Sequence, residues 1–233
     1  ARAPFEVPRG AERQAQLASV LEVIYLIFNE GYVATAGTDW MRPALCSEAL
    51  RLGRVLAGLM RDDGEVLGLV ALMEIQASRL TARVAPAGQP GLLADQDRRR
   101  WDRLLIRRGL DALARAEALA SHAGHLGPYA LQAAIAACHA RAPRVEDTDW
   151  ARIVGLYDAL AQLVPSPVVR LNRAVAVARA YGPEAALELV DELASRTVCD
   201  SAEGDTPSSA AAQKPQWLLK KPPASPTTPA NGR

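Results

Sequence analysis

The 233-residue chain has no lysine before position 214, so arginine carries all the basic side-chain charge up to there. Through residue 196 arginines and carboxylates are equal in number, and the whole chain has a formal net charge of +1. A balanced body sets up no general field toward nucleic acid or an anionic membrane, so any basic footprint must be local. Aromatic residues are only 5% of the chain, while alanine and leucine abound. That excludes a β-sandwich, which draws on valine, isoleucine, threonine and tyrosine, and suits closely packed helices. Cys46, Cys138 and Cys199 are odd in number and widely spaced, which excludes a disulfide framework and zinc-ligand spacing. Cys138 falls in an apolar stretch, where a free thiol serves as a small hydrophobe. No apolar run reaches the roughly 18 residues of a membrane helix. The opening ARAPFEVPRG has no signal-peptide core. The expectation is a cytoplasmic protein without membrane contact.

What is present points to helices throughout. Hydrophobic residues make up 49% of the chain, enough for a sizeable core. Period-3.6 patterning predicts eight helices, over about 10–30, 43–61, 65–83, 97–121, 128–141, 148–163, 167–180 and 184–195. Pro43 opens the second, Asp62-Asp63-Gly64 separates the second from the third, Gly127-Pro128 opens the fifth, and Thr148 with Asp149 caps the sixth. Connections are short apart from APAGQPGLLADQD at 85–97, so the fold class is all-α: an array of about eight antiparallel helices. Toward its C-terminal end the pattern sharpens into a hairpin. Ser166 caps a helix that Pro167 enters, Gly182 stops it, and Pro183 starts the next. Leu171, Val175 and alanines 174, 176 and 178 form the apolar side of the first of these helices, and Ala186, Leu189, Val190 and Leu193 that of the second. From Thr197 the composition changes to serine, threonine, proline and alanine, which predicts a disordered tail over 197–233.

Chemistry-bearing motifs are scarce. There is no GxGxxG turn, Walker loop or HExxH pattern, so no cofactor and no metal are predicted. His122 and His125 have a ligand-like spacing but lack companions. Cys138 and His139 are adjacent in a helix and point about 100° apart, which excludes a nucleophile–base pair. Asp62-Asp63, Asp95-x-Asp97 and Glu146-Asp147 stand at helix ends and read as caps. No catalytic residue is predicted. Two segments are candidates for partner binding. In DQDRRRWDRLLIRR at 95–108, Arg99, Arg100, Trp101, Arg103 and Arg107 form a basic cluster with one aromatic, with Arg100, Arg103 and Arg107 on one helix face. That face meets a partner, or else Asp97, Arg98 and Asp102 form local ion pairs on a solvated helix. In IYLIFNEGY at 24–32, Asn29, Glu30 and Tyr32 end a helix. Glu30 beside the negative end of the dipole calls for a partner, either an arginine of a neighbouring helix or an external contact.

Five strings taken in order, YLIFNEGY at 25–32, DQDRRRWDRLLI at 95–106, LQAAIAACHA at 131–140, TDWARIVGLYDAL at 148–160 and SPVVRLNRAVAVA at 166–178, resemble one family. It is the C-terminal, tetratricopeptide-like extension of a subgroup of bacterial extracytoplasmic-function RNA polymerase sigma factors. The resemblance covers about residues 2–194. It implies a noncatalytic interaction or regulatory domain in transcription initiation, with core RNA polymerase and sigma regions two and four as partners and no direct DNA contact. Residues 1–9 then resemble the linker from region four, and the promoter-reading regions are missing from this chain. Relatives continue past Leu193 into further repeat helices, so the compositional break points to a frameshifted or misjoined end. A face bearing Leu187 and Val190 is then exposed or covered by Gln216–Leu219. The different-class reading of the same residues is a stand-alone helical-repeat adaptor.

Overall fold

Two segments of the sequence are apolar on nearly all sides, and they occupy the centre of the molecule. A computed structural model describes residues 10–35, 41–83 and 91–202, with only the backbone described at 11, 122, 123 and 195–202. All the regular structure there is helical: α1 Gly10–Tyr32, α2 Pro43–Leu59, α3 Gly64–Ala77, α4 Leu80–Arg83, α5 Arg103–Ala123, α6 Pro128–Arg141, α7 Trp150–Leu163, α8 Pro167–Tyr181 and α9 Pro183–Ala202. Helix α3, GEVLGLVALMEIQA, is buried at every residue from Val66 to Ala77, and α6 from Tyr129 to Ala140 at all but Gln132. A helix buried all round needs apolar residues all round, which is why neither has a polar face.

Helix α3 packs against α1, α2, α5 and α6, while α6 hands the array on to α7, which packs on α8, and α8 on α9. One core therefore gathers residues of α1, α2, α3, α5 and α6, including Phe28, Leu72, Met73 and Leu113. A second gathers Leu131, Ile135 and Cys138 from α6 with Ile153, Tyr157, Val169, Val177 and Ala186. Helix α6 serves both. Its approach to α3 is close enough to require glycine: a Cβ on Gly68 would stand 2.5 Å from the Ala130 nitrogen.

The caps explain where helices start. Asp63 accepts hydrogen bonds from the Glu65 and Val66 amides, Asp149 from Arg152, and Ser166 from Val168. Gly182 sits at φ +101°, a conformation that favours glycine, and Pro183 follows as the first residue of α9.

Four expectations need correction. The helix predicted over 65–83 breaks at Ser78, whose hydroxyl bonds back to the Ile75 carbonyl (2.6 Å) and whose carbonyl accepts from Asp102. The helix predicted from 97 begins only at Arg103. Two capping carboxylates compete there: Asp97 caps a 3-10 turn over Arg98–Arg100, and Asp102 caps α5. Backbone between them is extended at Trp101, so Arg100 does not share a helix face with Arg103 and Arg107. Val175, placed on the apolar side of α8, is 41% exposed, and Val169, Ala176 and Val177 line the second core instead. The tail predicted from 197 is still helical backbone to Ala202. Residues 1–9, Gln216–Leu219 and the rest of the tail from 203 lie outside the described residues.

Candidate functional site

The segment 24–32 turns inward at its end. Tyr32 is 3% exposed, stacks on Phe28 with ring centroids 5.6 Å apart, and lies under the Arg83 guanidinium at 3.6 Å. The same guanidinium donates to the Tyr32 carbonyl at 2.7 Å. Tyr32 thus joins α1 to α4 and offers no surface to a partner. Asn29 is half-buried beside the Tyr25 hydroxyl, whose pKa burial pushes up to about 12 against the opposing influence of Asn29 and Gln76. Glu30 meets Arg42, the residue before α2, at 3.1 Å and accepts from the Thr35 amide and hydroxyl. The partner that the helix dipole demands is therefore supplied within the chain, and it closes the α1–α2 connection.

The segment 95–108 divides. Arg99 is solvated and, among the described residues, pairs with Asp97 alone, at 3.1 Å. Arg100 donates to the Thr81 carbonyl (2.6 Å) and accepts from the Thr81 hydroxyl, tying its turn to α4. Arg103 and Arg107 are exposed on α5, and Asp102 is occupied as a cap rather than in an ion pair. Trp101 is 3% exposed, so the aromatic of the basic cluster belongs to the core. Of the eight candidates, Arg99, Arg100, Arg103 and Arg107 are exposed, Arg100 with its guanidinium tied to Thr81, while Trp101 and Tyr32 are buried.

Arg98, read from the sequence as part of a set of local ion pairs on a solvated helix, is instead buried and bonded at long range. Its Nη1 donates to the carbonyls of His139 and Ala142, both at 2.6 Å, and its Nη2 lies 3.5 Å from the Thr148 hydroxyl. The guanidinium stands 5.0 Å from the Trp101 ring. A cation on the last carbonyls of α6 satisfies acceptors the helix leaves open and opposes the negative end of its dipole. Beside it His139 is 4% exposed and edge-on to Trp150. Burial first, then the charges of Arg79 and Arg98, push its pKa down to about 3, so the imidazole is neutral at any physiological pH. No local pattern marks Arg98 among three consecutive arginines, because its partners lie 41 to 50 residues away.

Glu65 ties the other end of α6, accepting from the Tyr129 and Ala130 amides at 3.0 and 3.2 Å. Burial raises its pKa, with those amide bonds opposing. Glu74 is the other deep carboxylate. It is 1% exposed in α3 and receives Arg54 of α2 at 2.8 Å and Arg108 of α5 at 3.5 Å. A glutamate inside VLGLVALMEIQA was the available signal, since a buried carboxylate needs a cation. Burial raises the pKa of both Cys46 and Cys138, that of Cys46 to about 12, so both are inert thiols. Among the described residues no His/Cys/Asp/Glu group could hold a metal ion. The His122 side chain lies outside them.

Residues 16–117, from within α1 to most of the way along α5, match a family of unknown function (DUF6596). An uncharacterized protein of Rhizobium meliloti (strain 1021) is 50% identical over 193 residues. The match covers 83% of this chain but 45% of that relative, so the chain spans under half the length of the curated relative it matches. No solved structure matches. No described helix is long and apolar enough to cross a membrane.

Proposed function

We propose that this chain is a noncatalytic helical interaction module of a cytoplasmic bacterial RNA polymerase sigma factor, acting in transcription initiation beside promoter-reading regions encoded in the same unit. One observation carries the reading. The five strings on which the resemblance rests coincide with the ties of the array rather than with one exposed feature. YLIFNEGY contains Glu30 and Tyr32, which hold α1 to α2 and α4. DQDRRRWDRLLI contains Arg98, which holds the loop to the end of α6, and LQAAIAACHA is the centre of α6 itself. TDWARIVGLYDAL and SPVVRLNRAVAVA supply α7 and α8, joined by the Asp158–Arg173 ion pair. Likeness at the residues that set helix against helix supports a shared folded unit, and the resemblance gives that unit its place in a sigma factor. The greater length of the relative leaves room for two further domains.

Core RNA polymerase and sigma regions two and four are the expected partners, with no direct DNA contact from this module. Sequencing the coding unit upstream tests the assignment. An in-frame helix-turn-helix of the region-four type is the expected result. Transcription from a promoter by that full-length product with core polymerase should then depend on the helical module. A complete reading frame without such a region would overturn the assignment and leave a stand-alone helical-repeat adaptor. The exposed arginines give a finer test: replacing Arg99, Arg100, Arg103 and Arg107 by alanine should weaken polymerase or sigma-region binding, and unchanged binding would make this a solvated face.

A further inference from the structure

We propose that the strip between α2 and α5, over the buried Glu74, is a docking site for an acidic α-helix of a protein partner. Helices α2 and α5 both pack on α3, and their arginines reach across it. Arg54 and Arg108 each engage Glu74 through Nε, converging on the same oxygen, Oε1. The side chains of Arg54 and Arg108 are 36% and 46% exposed, while that of Glu74 is 2% exposed. Their terminal Nη groups hold no other acceptor among the described residues, and the second carboxylate oxygen of Glu74 is buried without a hydrogen bond. One carboxylate thus orients two guanidinium groups whose side chains remain partly exposed. A carboxylate taken in by such a fork forms paired, charge-assisted bonds.

A second pair continues the strip. Arg115 donates to the Arg61 carbonyl at 3.2 Å, and Arg61 to the Gly58 carbonyl at 3.2 Å. Both guanidinium groups are exposed, and among the described residues neither meets a carboxylate, Asp62 and Asp111 included. Arg108 and Arg115 are seven residues apart on α5, about 10.5 Å along its axis. Acidic residues two turns apart on a partner helix have that same spacing. Gly58 lies open beside them, with nothing within 4 Å of a Cβ built on it, so a helix can approach. Nucleic acid fits less well. The arginine pairs extend for only two turns, and Trp101, the aromatic of the neighbouring basic segment, is buried and unable to stack on a base. The inference stands on this strip alone and does not depend on the transcription assignment.

The test uses the full chain and a labelled peptide of about 16 residues, long enough to hold a helix, with glutamates two turns apart on one face. Competitors are the same peptide with glutamine in their place and a single-stranded oligonucleotide of equal charge. At about 50 mM salt the glutamate peptide should bind about tenfold more tightly than the glutamine one. The double variant Arg61→Gln, Arg115→Gln should lose about tenfold. Arg108→Lys, which keeps charge but not the fork, should also weaken binding. Amide shifts of the unaltered protein should change at Gly58 and Ala112, a readout independent of any variant. Equal binding of both peptides, absence of binding, tighter binding of the oligonucleotide, or shifts confined to other helices would each overturn the proposal.

Discussion

Acidification should unfold this protein through His139 in particular. The imidazole is buried at the end of α6 with Arg79 and Arg98 as its charged neighbours, and its pKa falls from an ordinary 6.5 to about 3. Between those values the unfolded chain binds a proton that the folded chain refuses. Stability from this group is therefore complete above pH 6.5 and is lost, by about 1.4 kcal/mol per pH unit, as the pH falls toward 3. By pH 4.5 the loss is about 3 kcal/mol, a large part of a typical folding free energy. Urea unfolding at pH 7.5, 6.5, 5.5 and 4.5 for wild type and His139→Phe measures it, since the variant keeps a ring against Trp150 but cannot titrate. Overpacking lowers the variant's stability equally at every pH, and carboxylate titration is common to both proteins. The two curves should therefore converge on acidification. Parallel curves, or an NMR titration of His139 centred near 6.5, would refute the reasoning.

Other substitutions probe the ties one at a time. Arg98→Ala leaves two carbonyls at the end of α6 without their donor and should cost about 3 kcal/mol in urea unfolding, with Arg98→Lys intermediate. Gly68→Ala puts a methyl group 2.5 Å from the Ala130 nitrogen and should cost about 3 kcal/mol by forcing α3 from α6, while Gly58→Ala, at an open site, should not destabilise. Glu30→Gln breaks a partly exposed ion pair and should cost only about 0.5 kcal/mol in the same assay. In a Cys199→Ser background, Cys46 and Cys138 should resist a thiol reagent in native buffer and react fully in urea; rapid native labelling would contradict their burial.

Helix identity was legible wherever chain chemistry is local. Asp149 and Ser166 cap their helices, and Gly182-Pro183 turns the chain between α8 and α9, because each acts on backbone within a few residues. Periodicity failed where a polar residue of the helical run formed a stronger local bond of its own. Ser78 bends the chain through Ile75, and Asp97 and Asp102 each start a separate turn. Burial of Tyr32 and Trp101 was hidden for another reason. An aromatic beside arginines looks like an exposed recognition element, but here Arg83 of α4 and Arg98 of the turn before α5 lie against the rings inside the protein. Of the candidate surface, the exposure of Arg99, Arg100, Arg103 and Arg107 could be read from their charge. The convergence of Arg54 and Arg108 could not, because it depends on α2 and α5 both packing on α3.

The deep polar residues also constrain how the two cores behave together. Glu65 holds the first amides of α6 and Arg98 its last carbonyls, so both ends of the shared helix are fixed by residues from outside the second core. Leu131, Ile135 and Cys138 project from that helix into the second core. A substitution in α3 or in the loop before α5 should therefore loosen α7 and α8 without touching them. Native-state hydrogen exchange can separate this from independent cores. In Arg98→Ala, amides of Ile153–Leu160 should lose protection together with those of Ala133–Ala140, whereas α1 and α2, to which Arg98 donates no hydrogen bond among the described residues, should keep theirs. Loss confined to the end of α6 would mean that the helix frays locally and that the second core stands without it.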